Sequence, residues 1–170
     1  SYYMIGQPMT DSYLRFIVRE LKPYIDKHYP THADRDNTFI MGYSLGGLIS
    51  LYGMCEYPEI FGGAVCLSTH WPLTEIAPFN RTNTAQEKAF LKYLGANIPD
   101  PATHRIYYDH GTEDLDSCYA KHQRLIDGIM RDKGYTEENW MTRVFPGDDH
   151  SLRAWSKRLY IPVVFLLGKK

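Results

Sequence analysis

The stretch Thr38-Phe39-Ile40-Met41-Gly42-Tyr43-Ser44-Leu45-Gly46-Gly47-Leu48 decides the reading of the chain. Residues 38–41 form a short apolar run bounded by Asp36-Asn37 and Gly42, the pattern of a buried strand. Residues 45–57 have helical periodicity and are closed by Pro58. Between the two, Gly42, Ser44 and Gly46 complete the pattern G-x-S-x-G. At a strand-to-helix turn that pattern lifts a serine hydroxyl above the edge of a sheet. The glycines permit the tight turn, and the N–H of Leu45 is then aimed at a developing oxyanion. A Gly-rich turn with an ordinary serine, or a phosphate-binding turn, fits the same letters.

Working outward, residues 11–29 carry Leu14, Ile17, Val18, Leu21 and Ile25 at helical spacing, with Pro23 expected to kink or split the helix. Residues 63–68, 105–109 and 140–145 read as strands, and 116–133 and 151–167 as helices, the last bent at Pro162. An excursion over residues 71–101 holds one helix, about 84–94. Strands alternating with helices imply right-handed crossovers and a parallel sheet covered on both faces. The expected class is α/β: a mostly parallel sheet of about four strands with flanking helices, in a single domain over residues 1–170.

Composition narrows the function classes. Nineteen basic residues against twenty acidic ones give a net charge of −1, which excludes the basic footprint of a non-specific nucleic-acid binder. The longest apolar run, residues 161–167, is far short of the roughly 20 residues of a membrane span, so no membrane partner is expected. Residues 1–6 lack a basic region and a cleavage pattern, so no signal peptide is expected; the cytoplasm is the favoured location, with secretion the alternative if the native amino terminus is missing. Cys55, Cys66 and Cys118 cannot all pair and form no C-x-x-C, so buried thiols are expected, with no metal and no cofactor.

A serine hydroxyl needs a base. His150 lies in Gly147-Asp148-Asp149-His150-Ser151, between the last strand and the last helix, where the base falls in the chain order serine, acid, histidine. His110 is the runner-up; His28 and His32 read as solvated, and His122 as facing out of its helix. The acid belongs to Tyr108-Asp109-His110-Gly111-Thr112-Glu113-Asp114-Leu115-Asp116. Asp114, three residues beyond Gly111, is the first choice; Asp116, which also suits a helix N-cap, is the alternative. Tyr43, His70 and Trp71 lie beside the predicted site as substrate contacts, Trp71 being equally a core residue.

Four segments then carry a resemblance: Glu20-Leu21-Lys22-Pro23-Tyr24-Ile25-Asp26, Met41 to Leu48, Tyr57-Pro58-Glu59-Ile60-Phe61-Gly62, and Ser68-Thr69-His70-Trp71. With Gly111-Thr112-Glu113-Asp114 and Asp149-His150-Ser151, they resemble the putative-esterase branch of the α/β-hydrolases, over about residues 11–167. That branch includes feruloyl and acetyl-xylan esterases, enterochelin-type esterases and S-formylglutathione hydrolase, and the mycolyltransferases are similar to it. The resemblance implies a serine esterase acting on a small-molecule ester, with Ser44, Asp114 and His150 as triad and Leu45 as an oxyanion donor. Hydrolase and acyltransferase are both compatible with it; the alternative from a different class is a catalytically weak remnant that binds a ligand or self-assembles. The family normally begins with about four further strands, one of which leads into a second oxyanion donor, so a truncated α/β-hydrolase fold corresponding to its carboxyl-terminal half is expected. The nucleophile strand would then lack a neighbour, and an exposed apolar edge favours self-association. A homodimer through that edge is expected, with residues 2–5 as the competing cover within one chain.

Overall fold

A computed structural model describes residues 9–71 and 84–168. The helix expected over residues 11–29 forms in three pieces: α1 (Thr10–Phe16), a π-helical turn (Ile17–Leu21) and α2 (Lys22–His28). Pro23 has no N–H for the carbonyl one turn back, and the wider π turn lies where that bond is missing. The backbone stays helical through both junctions. The helix stops at His28, and Tyr29 is extended, as the residue before Pro30 must be.

The remaining elements alternate: β1 (Phe39–Tyr43), α3 (Leu45–Glu56), β2 (Gly63–Leu67), α4 (Thr84–Asn97), β3 (Arg105–Gly111), α5 (Ala120–Asp132), β4 (Trp140–Phe145), α6 (Leu152–Arg158) and α7 (Tyr160–Leu167). The four strands are all parallel and lie in the order β1-β2-β3-β4. Two of the boundaries that differ from the sequence reading bear on the site. Strand β3 runs two residues further, to Gly111, and the helix expected from residue 116 is preceded by a 3-10 turn, Asp114–Cys118. The last helix breaks at Leu159, because Pro162 has no N–H to give to the Arg158 carbonyl.

Successive strand residues face opposite sides of the sheet. Ala64, Cys66, Ile106 and Tyr108 pack with Leu51, Met54, Leu94, Ile126 and Met130 of α3, α4 and α5 in the larger core. Val65, Leu67 and Tyr107 pack with Trp155 and Leu166 of α6 and α7 in the smaller one. Each crossover steps to the next strand in the same direction, which puts α3, α4 and α5 on one face by the handedness rule. The segments α6 and α7 cover the other.

Among the described residues, β1 has β2 as its one strand neighbour. Met41 and Tyr43 are about half exposed along it, at 50% and 48%. An apolar groove of about 460 Å³ runs beside it, lined by Tyr13, Ile17, Phe39, Met41, Ile49 and Phe61. Residues 2–5, the competing cover for this edge, lie outside the described residues. The thiols of Cys55, Cys66 and Cys118 are all free. Burial pushes the Cys55 thiol up to about 12 and that of Cys66 well above its ordinary value, so both are inert packing groups at neutral pH. No helix among the described residues is long and apolar enough to cross a membrane.

Candidate active site

Ser44 occupies the single position between β1 and α3, with φ 56° and ψ −124°. A non-glycine residue holds such a backbone only where its surroundings over-determine it. The Ser44 N–H donates to the Leu67 carbonyl of β2, and its own carbonyl accepts from Gly47, Leu48 and His70. Gly42 makes the turn possible: a Cβ there would collide with the backbone of Gly46, where α3 folds back over β1. Leu45, the first residue of α3, has no carbonyl one turn back to receive its N–H, so that donor is available beside the serine hydroxyl.

The other two groups come from the ends of β3 and β4. Ser44 Oγ donates to His150 Nε2 at 3.0 Å. His150 Nδ1–H donates in turn to Asp116 Oδ1 at 2.6 Å. The carboxylate that meets His150 is thus Asp116, and not Asp114, the first choice in the sequence. Asp114 has φ 52°, in the left-handed region that aspartate tolerates, and its side chain is exposed. Its carbonyl accepts from Ser117 Oγ, and the 3-10 turn that it opens carries Asp116 back inward to full burial. Asp116 is therefore not an exposed helix cap. Its second oxygen, Oδ2, accepts from Ser68 Oγ at 2.5 Å and from the Gly111 N–H at 2.6 Å. Burial pushes this carboxyl up, but the hydrogen bonds from His150, Ser68 and Gly111 outweigh it and hold the group below the usual carboxylate range. It is ionised at neutral pH, as an acceptor for an imidazolium must be.

A buried charge cluster lies behind the acid. Arg158, 2% exposed at the end of α6, donates through Nε and Nη2 to the two oxygens of Asp109 at 3.1 and 3.0 Å. Nη2 also donates to Ser68 Oγ at 2.9 Å, and Nη1 to Asp148 Oδ2 at 2.8 Å. The guanidinium lies 4.7 Å over the Phe145 ring. Burial raises the Asp109 carboxyl, opposed by Arg158, the Ser68 N–H and the Tyr107 hydroxyl. Gly111 has no room for a Cβ because the Asp148 carbonyl lies against it, and that carbonyl accepts the N–H groups of Thr112 and Glu113. The acid loop and the histidine loop are thus sewn together by backbone as well as by charge.

The remaining expected site residues divide. Tyr43 is half exposed and stacks on Trp155 at 4.2 Å, and Trp155 meets His150 edge-on at 4.9 Å. His70 is buried, with Nδ1 hydrogen-bonded to the Tyr119 hydroxyl at 2.9 Å. Burial, then the neighbouring His150 and His122, lower its pKa, so it is a neutral wall of the site. Trp71 proves to be core: it is 5% exposed, its Nε1 donates to Gln123, and it packs against Tyr108 and Phe90. His110, the runner-up base, is buried in β3 with Nδ1 against the Gly111 carbonyl, and makes no hydrogen bond to Ser44. His122 is buried beside Glu87 instead of facing solvent. Ser68, Trp155 and Arg158 were not singled out in the sequence as parts of the site. The three-residue spacing of Trp155 and Arg158 on one helix face was the available signal for two of them. Among the described residues, no group of three His, Cys, Asp or Glu side chains converges as metal ligands.

Known proteins share this arrangement of the chain. The chain is 26% identical over 165 residues to the carboxylesterase SOBER1 of Arabidopsis thaliana, covering 92% of this chain and 63% of that protein. A ferulic acid esterase structure superposes with a TM-score of 0.69 at 23% identity, over 91% of this chain and 60% of that one. The enterochelin esterase of Shigella flexneri superposes with a TM-score of 0.73 at 19% identity, over 96% of this chain and 41% of that one. The chain therefore spans less than two thirds of the length of these relatives, and the likeness to the two structures establishes the α/β-hydrolase fold. A family profile described as "Putative esterase" matches residues 3–163, and with nearly the whole chain inside it, the chain belongs to that esterase family.

Proposed function

We propose that the chain is a serine esterase that hydrolyses small acyl or aryl carboxylic esters through an acyl-enzyme. One observation carries the reading: the Ser44 hydroxyl, His150 imidazole and Asp116 carboxylate are joined by hydrogen bonds of 3.0 and 2.6 Å. In this scheme Ser44 Oγ attacks the ester carbonyl while His150 Nε2 takes its proton. The carbonyl oxygen becomes an oxyanion held by the Leu45 N–H. Collapse expels the alcohol, which takes the proton back from His150. Water then attacks the acyl-enzyme by the same route, releasing the acid and restoring Ser44. Asp116 holds His150 in the Nδ1–H tautomer and stabilises the imidazolium at each step. The SOBER1 relative, a carboxylesterase by name, supports the reaction class.

The test is a series of p-nitrophenyl esters of increasing acyl length, with an organophosphonate as covalent label. Hydrolysis and phosphonylation mapped to Ser44 are expected. A folded protein that neither hydrolyses any ester in the series nor takes the label would overturn the proposal. With an added alcohol or sugar, an ester product in place of free acid would make the chain an acyltransferase.

A second reading, of self-assembly, is favoured by the edge of β1 away from β2, which has no strand neighbour among the described residues. A strand edge carries backbone donors and acceptors that cost about 1–3 kcal/mol each when buried unpaired. Pairing β1 with the same strand of a second copy about a two-fold axis would satisfy them, cover Met41 and Tyr43, and bring a partner's residues close to Ser44. Light scattering at micromolar concentration is expected to give twice the mass of the chain. A stable monomer that hydrolyses esters would refute the pairing.

A further inference from the structure

We propose that Arg158 is a positioning residue for the triad, acting through the Ser68 hydroxyl and resting on the esterase reading above. The geometry leaves the Ser68 proton one destination. Arg158 Nη2 and Trp155 Nε1 are donors only, and both donate to Ser68 Oγ, at 2.9 and 2.8 Å. The two lone pairs of that oxygen are then used, and its own proton goes to Asp116 Oδ2 at 2.5 Å. With the Gly111 N–H added, Oδ2 holds two donors and Oδ1 is left for His150. His150 must then carry its proton on Nδ1 and present a bare Nε2 to Ser44. A side chain that makes no hydrogen bond to Ser44 or His150 thus fixes which way the protons of the relay point.

Three further features favour Arg158 for this task. Ser68 has φ 40°, a left-handed backbone held by its N–H, which donates to both the carbonyl and Oδ1 of Asp109. Arg158 grips the same Asp109 with two N–H groups, so the conformation of Ser68 is braced on both sides. Its Nη1 holds Asp148, two residues before His150, so one guanidinium spans the loops that deliver the acid and the base. The charges also balance at the right moment. Arg158 offsets one of the buried carboxylates Asp109 and Asp116, to which its Nη2 stands at 3.0 and 3.9 Å, and the His150 imidazolium formed during attack offsets the other. A lysine carries the charge but lacks the planar fork that reaches Asp109, Ser68 and Asp148 together.

The experiment separates positioning from simple neutralisation of Asp109. Arg158→Met alone strands a buried carboxylate and destabilises the fold, so the deciding variant is R158M/D109N, which removes both charges, with R158K beside it. Proton NMR of the wild type is expected to show a far-downfield His150 Nδ1–H resonance from the short bond to Asp116. In folded R158M/D109N that resonance is expected to move upfield or broaden, with kcat falling about 10- to 100-fold and KM changing less than about twofold. R158K is expected to lie between the two. A folded R158M/D109N with the wild-type resonance and kcat would overturn the proposal and leave Arg158 as the counter-ion of Asp109. The NMR comparison needs no turnover. A wild type without esterase activity would sink the esterase reading, while the resonance would still decide the role of Arg158.

Discussion

Replacing Ser44 with alanine is expected to lower the rate of ester hydrolysis by about four to six orders of magnitude. Among the described residues, Ser44 Oγ is the one hydroxyl hydrogen-bonded to His150 Nε2. Without it the base has only water to activate, and no acyl-enzyme forms. What remains is the oxyanion contact from Leu45 and the binding of the substrate, which alone give a residual acceleration of about three to four orders of magnitude over water in triad enzymes. Labelling by the organophosphonate should vanish with the hydroxyl. The fold should not suffer, because the turn is set by Gly42 packed on Gly46 and by the backbone bonds of residue 44, none of which uses the hydroxyl. A loss of activity accompanied by an unchanged urea midpoint is therefore the expected pair of results. An alanine variant that kept most of the activity would remove Ser44 from the mechanism.

The parts of this site that were legible in the sequence are those encoded by local pattern. The turn at Ser44 was readable because the strand, the two glycines and the helix are contiguous, and the structure places them within two residues of the expected bounds. His150 was readable because chain order puts the base in the loop after the last strand. The acid was not, and the reason is conformational. Asp114 and Asp116 are two residues apart in a loop whose direction depends on a positive φ at Asp114, and nothing in the neighbouring letters dictates that angle. Sequence spacing favoured Asp114, three residues beyond Gly111, whereas the 3-10 turn leaves it exposed and buries Asp116. The cluster behind the acid was harder still. Ser68, Asp109, Asp148 and Arg158 lie in four different elements or loops, and only the sheet register and the fold of α6 over its face bring them together. His122 shows the same limit: the sequence placed it facing out of its helix, but α5 packs on α4 and buries it 3.3 Å from Glu87.

Asp116→Asn is the second large effect expected, and it is informative because the change is nearly isosteric. The two oxygens of Asp116 face different neighbours: Oδ2 faces two donors, from Ser68 and Gly111, and Oδ1 faces the His150 Nδ1–H. An asparagine must put its NH₂ on one side. Turned toward Ser68 and Gly111, the NH₂ would set its own hydrogens against those of two donors. Turned toward His150, it satisfies the rest of the site but requires Nδ1 to accept. The imidazole proton then sits on Nε2, where it blocks removal of the Ser44 proton. The second orientation leaves fewer buried groups unpaired and should prevail, so kcat is expected to fall by about four orders of magnitude with the fold intact. Asp114→Asn should change kcat less than about twofold, because that side chain is exposed and asparagine tolerates the same left-handed backbone. Steady-state kinetics on the two variants, run side by side, decides between the carboxylates. If Asp114→Asn were the damaging change, the hydrogen bond at 2.6 Å would not be the one that orients the base, and the acid would have to reach His150 in a loop conformation other than this one.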